Sequence, residues 1–120
     1  MEPASPLPLA PIHHVVLMEE KAYAVHGNEE SSSKKWIFDT GASNHMTGSK
    51  AAFSDLDTGV TGSVKFGDGS VVHIEGCGTV LFACKNGEHR TLANVYYIPR
   101  LTANIISCGQ LDEAGFQILV

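Results

Sequence analysis

Residues 36–48 read Trp-Ile-Phe-Asp-Thr-Gly-Ala-Ser-Asn-His-Met-Thr-Gly, so three bulky apolar side chains run straight into the carboxylate of Asp39. Burying an ionised group is costly unless something pairs with it. Either the chain turns out to solvent at Asp39, or a special environment holds that carboxylate for use. Gly41 lets another backbone approach closely, Ala42 is small, and Ser43 adds a hydroxyl. That run suits a tight loop presenting one carboxylate, with the Thr40 hydroxyl able to fasten the loop across an interface. Standing alone, Asp-Thr-Gly more often ends a strand as an ordinary turn.

Peptide hydrolysis by aspartates needs two carboxylates about 3 Å apart that share one proton, one acting as base on a water and the other as acid. That proton belongs to the pair and not to either residue. A second Asp-Thr-Gly occurs at 57–59, only 18 residues after the first, behind Ser54-Asp55-Leu56. No second lobe fits in that interval, and Asp57 reads as a solvated loop residue. A symmetric homodimer, each chain giving one Asp39, is the remaining route to a dyad.

The other chemistry-bearing residues have plainer readings. His45 fits a loop histidine that packs its ring or bonds backbone, and Asp68 fits turn chemistry. Cys77, Cys84 and Cys108 are odd in number, lack Cys-x-x-Cys spacing and read as small apolar residues in a reducing compartment. His13-His14 has no partners for a metal, and water activation by paired aspartates implies neither a metal nor an organic cofactor.

These side chains must be positioned by a small domain. The chain has 120 residues, 43% of them hydrophobic, twelve glycines and a net charge of −5. Residues 1–35 carry five acidic and three basic side chains, and residues 36–120 carry eight and five. Neither part has a Lys/Arg stripe, which disfavours nucleic-acid binding. The N-terminal apolar run is broken by Pro6, Pro8, Pro11 and His13-His14, so neither a signal peptide nor a membrane span is expected. Residues 1–35 read as a mostly flexible linker, with 12–25 able to form a short strand or a helical fragment.

From Trp36 the texture is β-type. Strands are expected over 63–66 and 71–75 around Gly67-Asp68-Gly69-Ser70, and over 78–85 and 88–98 around Asn86-Gly87. Val64/Phe66, Val72/Ile74 and Val80/Phe82 alternate, giving each strand one apolar face. One helix is expected from Ser107, with Gln110 completing a capping box, Ile106 and Leu111 a hydrophobic staple, and Gly115 ending it. A final strand is expected over 116–120. The fold class is all-β, a small barrel or sandwich with one short C-terminal helix.

Residues 36–48, together with AAFSDLD, SVKFGDGSVVHIEGCGTVLF, CKNGEHRTLANVYYIPRL and NIISCGQLDEAGFQILV, resemble the protease segment of copia-type retrotransposon Pol polyproteins, particularly those of plants. The blocks keep their order across 36–120. The last also resembles the end of retroviral proteases, where two apolar residues and a glycine precede a helix; Ser107 stands at the glycine's place. The resemblance implies a closed, barrel-like retropepsin fold over 36–120, ending about where a complete retropepsin domain ends. It implies that Asp39 is catalytic, with Thr40, Gly41, Ala42 and Ser43 supporting its loop. Gly67, Asp68 and Gly69 would form a substrate-covering flap, and Ile105, Ile106 and Ser107 would pass beneath the active-site loop. Residues 116–120 would contribute to the dimer interface. The implied activity is aspartic endopeptidase action on the element's own Gag-Pol polyprotein, in the cytoplasm within a virus-like particle. The partners would be a second copy of the chain and an extended peptide, with no nucleic acid or membrane. The rival expectation is a catalytically silent β module that only dimerises or binds peptides.

Overall fold

The computed structural model describes residues 13–23, 35–83 and 87–113. Among the described residues nine strands form two sheets, accompanied by one 3₁₀ turn and one short α-helix. The first sheet has the order β1-β5-β6, with β1 at His13–Glu19, β5 at Val60–Phe66 and β6 at Val71–Ile74. The second has the order β2-β9-β3-β8-β7-β4. Its strands are β2 (Trp36–Asp39), β3 (His45–Thr47), β4 (Phe53–Asp57), β7 (Gly76–Ala83), β8 (His89–Tyr97) and β9 (Asn104–Ser107). A 3₁₀ turn at Lys50–Ala52 leads into β4, and helix α1 spans Cys108–Glu113.

The all-β class with one short helix is what the sequence indicates, but among the described residues the sheets do not close into a barrel. The chain leaves β6 and enters β7 across Glu75 alone, where the Glu75 N–H already bonds the Tyr97 carbonyl of the other sheet. Strand pairing is divided there, and β2 and β4 stay as edges of the larger sheet among the described residues.

Local chemistry explains the hairpins. In the β5/β6 turn, the Asp68 carboxylate accepts from the Ser70 N–H at 2.9 Å and the Ser70 hydroxyl at 2.6 Å, while Gly69 takes φ +89°. That is the short-range bonding that makes Asp a turn former. The register places Val64 opposite Val72 and Lys65 opposite Val71. Strand β7 starts at Gly76, two residues earlier than expected, and pairs antiparallel with β8 through an irregularity between Gly78 and Val80. Gly87 has φ +85° in the turn that follows, whereas Asn86 lies outside the described residues.

The expected alternation places Val64, Phe66, Val72 and Ile74 in one buried cluster with Met46, Ile98, Leu101 and Ile105. Val80 joins Leu92, Val95 and Ile106 in a second cluster. Strand β9 separates the two, because Ile105 and Ile106 face opposite ways.

Within 1–35, residues 13–19 form β1, paired in parallel with all seven residues of β5. The apolar alternation of Val15 and Leu17, both packed on the core, supports that pairing. Cys77 and Cys108 are half-buried free thiols, and burial followed by the charge of Asp57 pushes the Cys77 pKa up. Cys84, the Gly115 helix stop and the strand at 116–120 lie outside the described residues, as does the Leu111 side chain of the staple. No helix among the described residues is long and apolar enough to cross a membrane.

Candidate active site

Asp39 is the last residue of β2, which pairs in parallel with β9 so that Phe38 lies beside Ile106 and Asp39 beside Ser107. Hydrogen bonding along both strands fixes the carboxylate's backbone, and the chain turns immediately afterwards. The side chain is 8% exposed. Its Oδ1 accepts from the Gly41 N–H at 2.8 Å, and Gly41 is packed so close that a Cβ there would stand 3.3 Å from Oδ1. Ala42 is buried in the main cluster, while Thr40 and Ser43 are exposed at the surface.

Beneath the loop, the Ser107 hydroxyl donates to the Ala42 carbonyl at 2.7 Å and accepts from the Gln110 N–H at 3.0 Å. The second contact is the N-cap half of the expected capping box. The reciprocal half does not form, because the Ser107 N–H donates instead to His45 Nδ1 at 2.9 Å. The Gln110 side chain is thereby released to accept from the His45 N–H at 2.9 Å and to donate to the Asn94 carbonyl. His45 is thus a buried bracket between the Asp39 loop, β9 and α1. Burial pushes its pKa down to about 4, so the ring is neutral at pH 7 and Nδ1 is free to accept. Next to it, the Thr47 hydroxyl donates to Asn104 Oδ1 at 2.6 Å, and the Asn104 amide donates to the Lys35 carbonyl.

Three residues in the expected linker reach the same loop. Glu19 is 2% exposed and accepts from the Ser43 N–H at 2.8 and 3.2 Å and from the Asn44 amide at 2.8 Å. Lys21 Nζ lies 3.1 Å from Asp39 Oδ2, and the Tyr23 hydroxyl donates to the same oxygen at 2.8 Å. Lys21 also stands 5.8 Å from the Tyr23 ring centroid, and that ring meets Phe66 edge-on at 5.6 Å. The signal was present in the sequence as Leu17, Glu19, Lys21 and Tyr23 at period two, the spacing of one face of an extended chain. Nearby prolines and the polar run at 27–35 masked it.

Burial of Asp39 pushes its pKa up, but the Gly41 N–H, the Tyr23 hydroxyl and the Lys21 ammonium outweigh burial and hold it below the ordinary carboxylate value. Tyr23 moves the opposite way, raised first by burial and then by the adjoining carboxylates. The Lys21 side chain is 58% exposed, and an ion pair so open to water is worth only about 0–1 kcal/mol.

The second Asp-Thr-Gly is built differently. Asp57 is exposed at the end of β4 and accepts from the Gly59 N–H at 2.8 Å, a local turn contact. The Gly67-Asp68-Gly69 turn projects at the end of the β5/β6 hairpin, and its link to the Asp39 loop runs through the arm at 19–23. No group of three or more His, Cys, Asp or Glu suited to a metal occurs among the described residues.

Residues 36–116 match the family described as the Pol polyprotein beta-barrel domain. The Retrovirus-related Pol polyprotein from transposon TNT 1-94 of Nicotiana tabacum is 31% identical over 103 residues, covering 86% of this chain and 8% of that protein. The putative transposon Ty5-1 protein of Saccharomyces cerevisiae is 35% identical over 77 residues, covering 64% of this chain and 49% of that protein. The chain therefore spans under half the length of each of these relatives. No solved structure matches it significantly. With two thirds of its length inside one family and relatives of copia type, the chain belongs to the Pol polyprotein beta-barrel domain family of retrotransposons.

Proposed function

We propose that this domain is an aspartic endopeptidase that acts as a homodimer on its element's Gag-Pol polyprotein, each chain giving Asp39. The observation that carries this reading is the anchored Asp39 carboxylate, fixed at a strand end and bonded by the Gly41 N–H two residues on. Of the two Asp-Thr-Gly motifs, that at Asp39 is the candidate, since Asp57 is tied up in an exposed turn. Two copies meeting at Asp39 bring the carboxylates together, and the shared proton then divides the acid and base roles on an attacking water. Thr40 is exposed beside Asp39 and available to bond across such an interface. Ile37 and Phe38, 49% and 59% exposed on the edge strand β2, supply apolar surface next to it. An extended polyprotein segment would add as a strand beneath the β5/β6 hairpin.

The kinetic order in protein tests this. With a peptide spanning the domain's own upstream junction as substrate, the rate should fall with about the square of concentration on dilution below the dimer constant. Strict proportionality over a wide range would contradict the homodimer.

One observation favours a second reading, a catalytically silent module that dimerises or binds peptides. Lys21 and Tyr23 of the same chain both occupy Asp39 Oδ2, the oxygen left free by Gly41.

A further inference from the structure

We propose that residues 13–23 are a built-in occupant of the peptide groove, sealing Asp39 until the arm is displaced from the edge of β5. This inference rests on the endopeptidase reading for the use of the groove, but not for the contact itself.

The arm has the form of a strand added to a sheet. His13–Glu19 run parallel to Val60–Phe66 in unbroken register, while the other side of β5 pairs with β6. Without the arm, β5 would present an open row of backbone donors and acceptors, the template to which an extended peptide adds. Two glycines make the seat. A Cβ on Gly62 would overlap the Val15 carbonyl, and a Cβ on Gly67 would overlap the Glu20 carbonyl. Backbone approach this close requires residues without side chains.

Beyond β5 the arm crosses to the active-site loop, and alternate residues take up its polar groups. Glu19 bonds Ser43 and Asn44, and Lys21 and Tyr23 bond Asp39. This arrangement opposes a dyad. Tyr23 and Lys21 add to the Gly41 N–H in holding Asp39 ionised, whereas two facing carboxylates must share a proton, and Oδ2 is already occupied where water or the partner carboxylate would come. The arm and the catalytic pair therefore exclude one another.

The seal is also built to open. Val16 and Met18 on its outer face are 69% and 72% exposed, and Lys21 is largely in water. A cavity of about 260 Å³ lined by Met18, Glu19, Glu20, Lys65, Phe66 and Gly67 leaves the arm incompletely packed where it departs from the hairpin.

The test uses the full chain as wild type, as Lys21→Met/Tyr23→Phe, and as Leu17→Asp. The last loosens the arm by setting a carboxylate against the core on which Leu17 packs, without altering β5 or any group on Asp39, so the two variants act independently if either folds poorly. A dye-labelled peptide copying residues 13–23 reports groove access, and a carbon-13 titration of the Asp39 carboxyl reports its release. The expected result is binding at least roughly tenfold tighter in a folded variant, as when a competing state is removed, with an upward shift of the Asp39 midpoint. Equal peptide affinity in folded variant and wild type, or an unmoved Asp39 midpoint, would overturn the proposal. Tighter binding and a released Asp39, with a cleavage assay silent throughout, would uphold the seal and count against the endopeptidase reading.

Discussion

Asp39→Asn should reduce cleavage of a polyprotein junction peptide by about 10²–10⁴-fold, the usual size of a lost general acid–base group, while Asp57→Asn should leave it unchanged. The two residues carry the same local motif, so the contrast isolates what the fold does with each. Asp39 ends a strand paired along its length with β9, is 8% exposed, and keeps Oδ1 on the Gly41 N–H. Asp57 closes an exposed turn through Gly59. Asparagine preserves size and an acceptor oxygen but cannot take a proton from water, so a folded, dimeric and inactive variant is the expected product. Equal loss in both variants would show that the motif and not its setting controls activity.

The second large effect is acid destabilisation through His45. Its folded pKa, about 4, lies below the ordinary value of 6.5. Because the folded value is depressed, the unfolded chain binds the proton first as pH falls. The neutral ring's contribution is therefore complete above about pH 6.5, is lost progressively down to about pH 4, and changes little below that. The shift corresponds to about 3 kcal/mol. The structural cause is specific: protonating Nδ1 would set a donor against the Ser107 N–H that it now accepts. Urea midpoints at pH 7 and pH 4.5 should differ strongly for wild type and much less for His45→Asn, which keeps an acceptor but does not titrate. Asp39 does not confuse the comparison. Its depressed pKa gives stability that is lost only as pH falls below its ordinary value of 3.8 and through its lower folded value. Any acidic optimum for cleavage would thus be met by a domain already losing stability.

Much of this molecule is legible in the sequence where information is local. The turn at Gly67-Asp68-Gly69 and the alternation of Val64/Phe66 and Val72/Ile74 give the β5/β6 hairpin, because bonding within four residues and a period of two fix it. Ser107 as a helix cap was legible for the same reason, although His45 took over half of its bonding from 62 residues away. What could not be read depends on partners distant in the chain. Strand β3 has three residues and becomes a strand only by lying between β8 and β9. The open edges of the two sheets follow from the switch at Glu75, which no composition marks. Most consequential is the arm. Glu19, Lys21 and Tyr23 sit among residues that look like linker, and only the approach to Gly62 and Gly67 turns them into partners of Asp39 and its loop.

Subunit mixing tests the central claim, one Asp39 from each of two chains, most directly. Wild type and Asp39→Asn are combined in equal amounts at a fixed total concentration high enough to keep all chains paired, allowed to exchange, and assayed on the junction peptide. Random pairing leaves about a quarter of the dimers with two aspartates, so activity should fall to about a quarter of that of wild type alone. Activity at about half, the value for chains that work independently, would contradict the shared dyad.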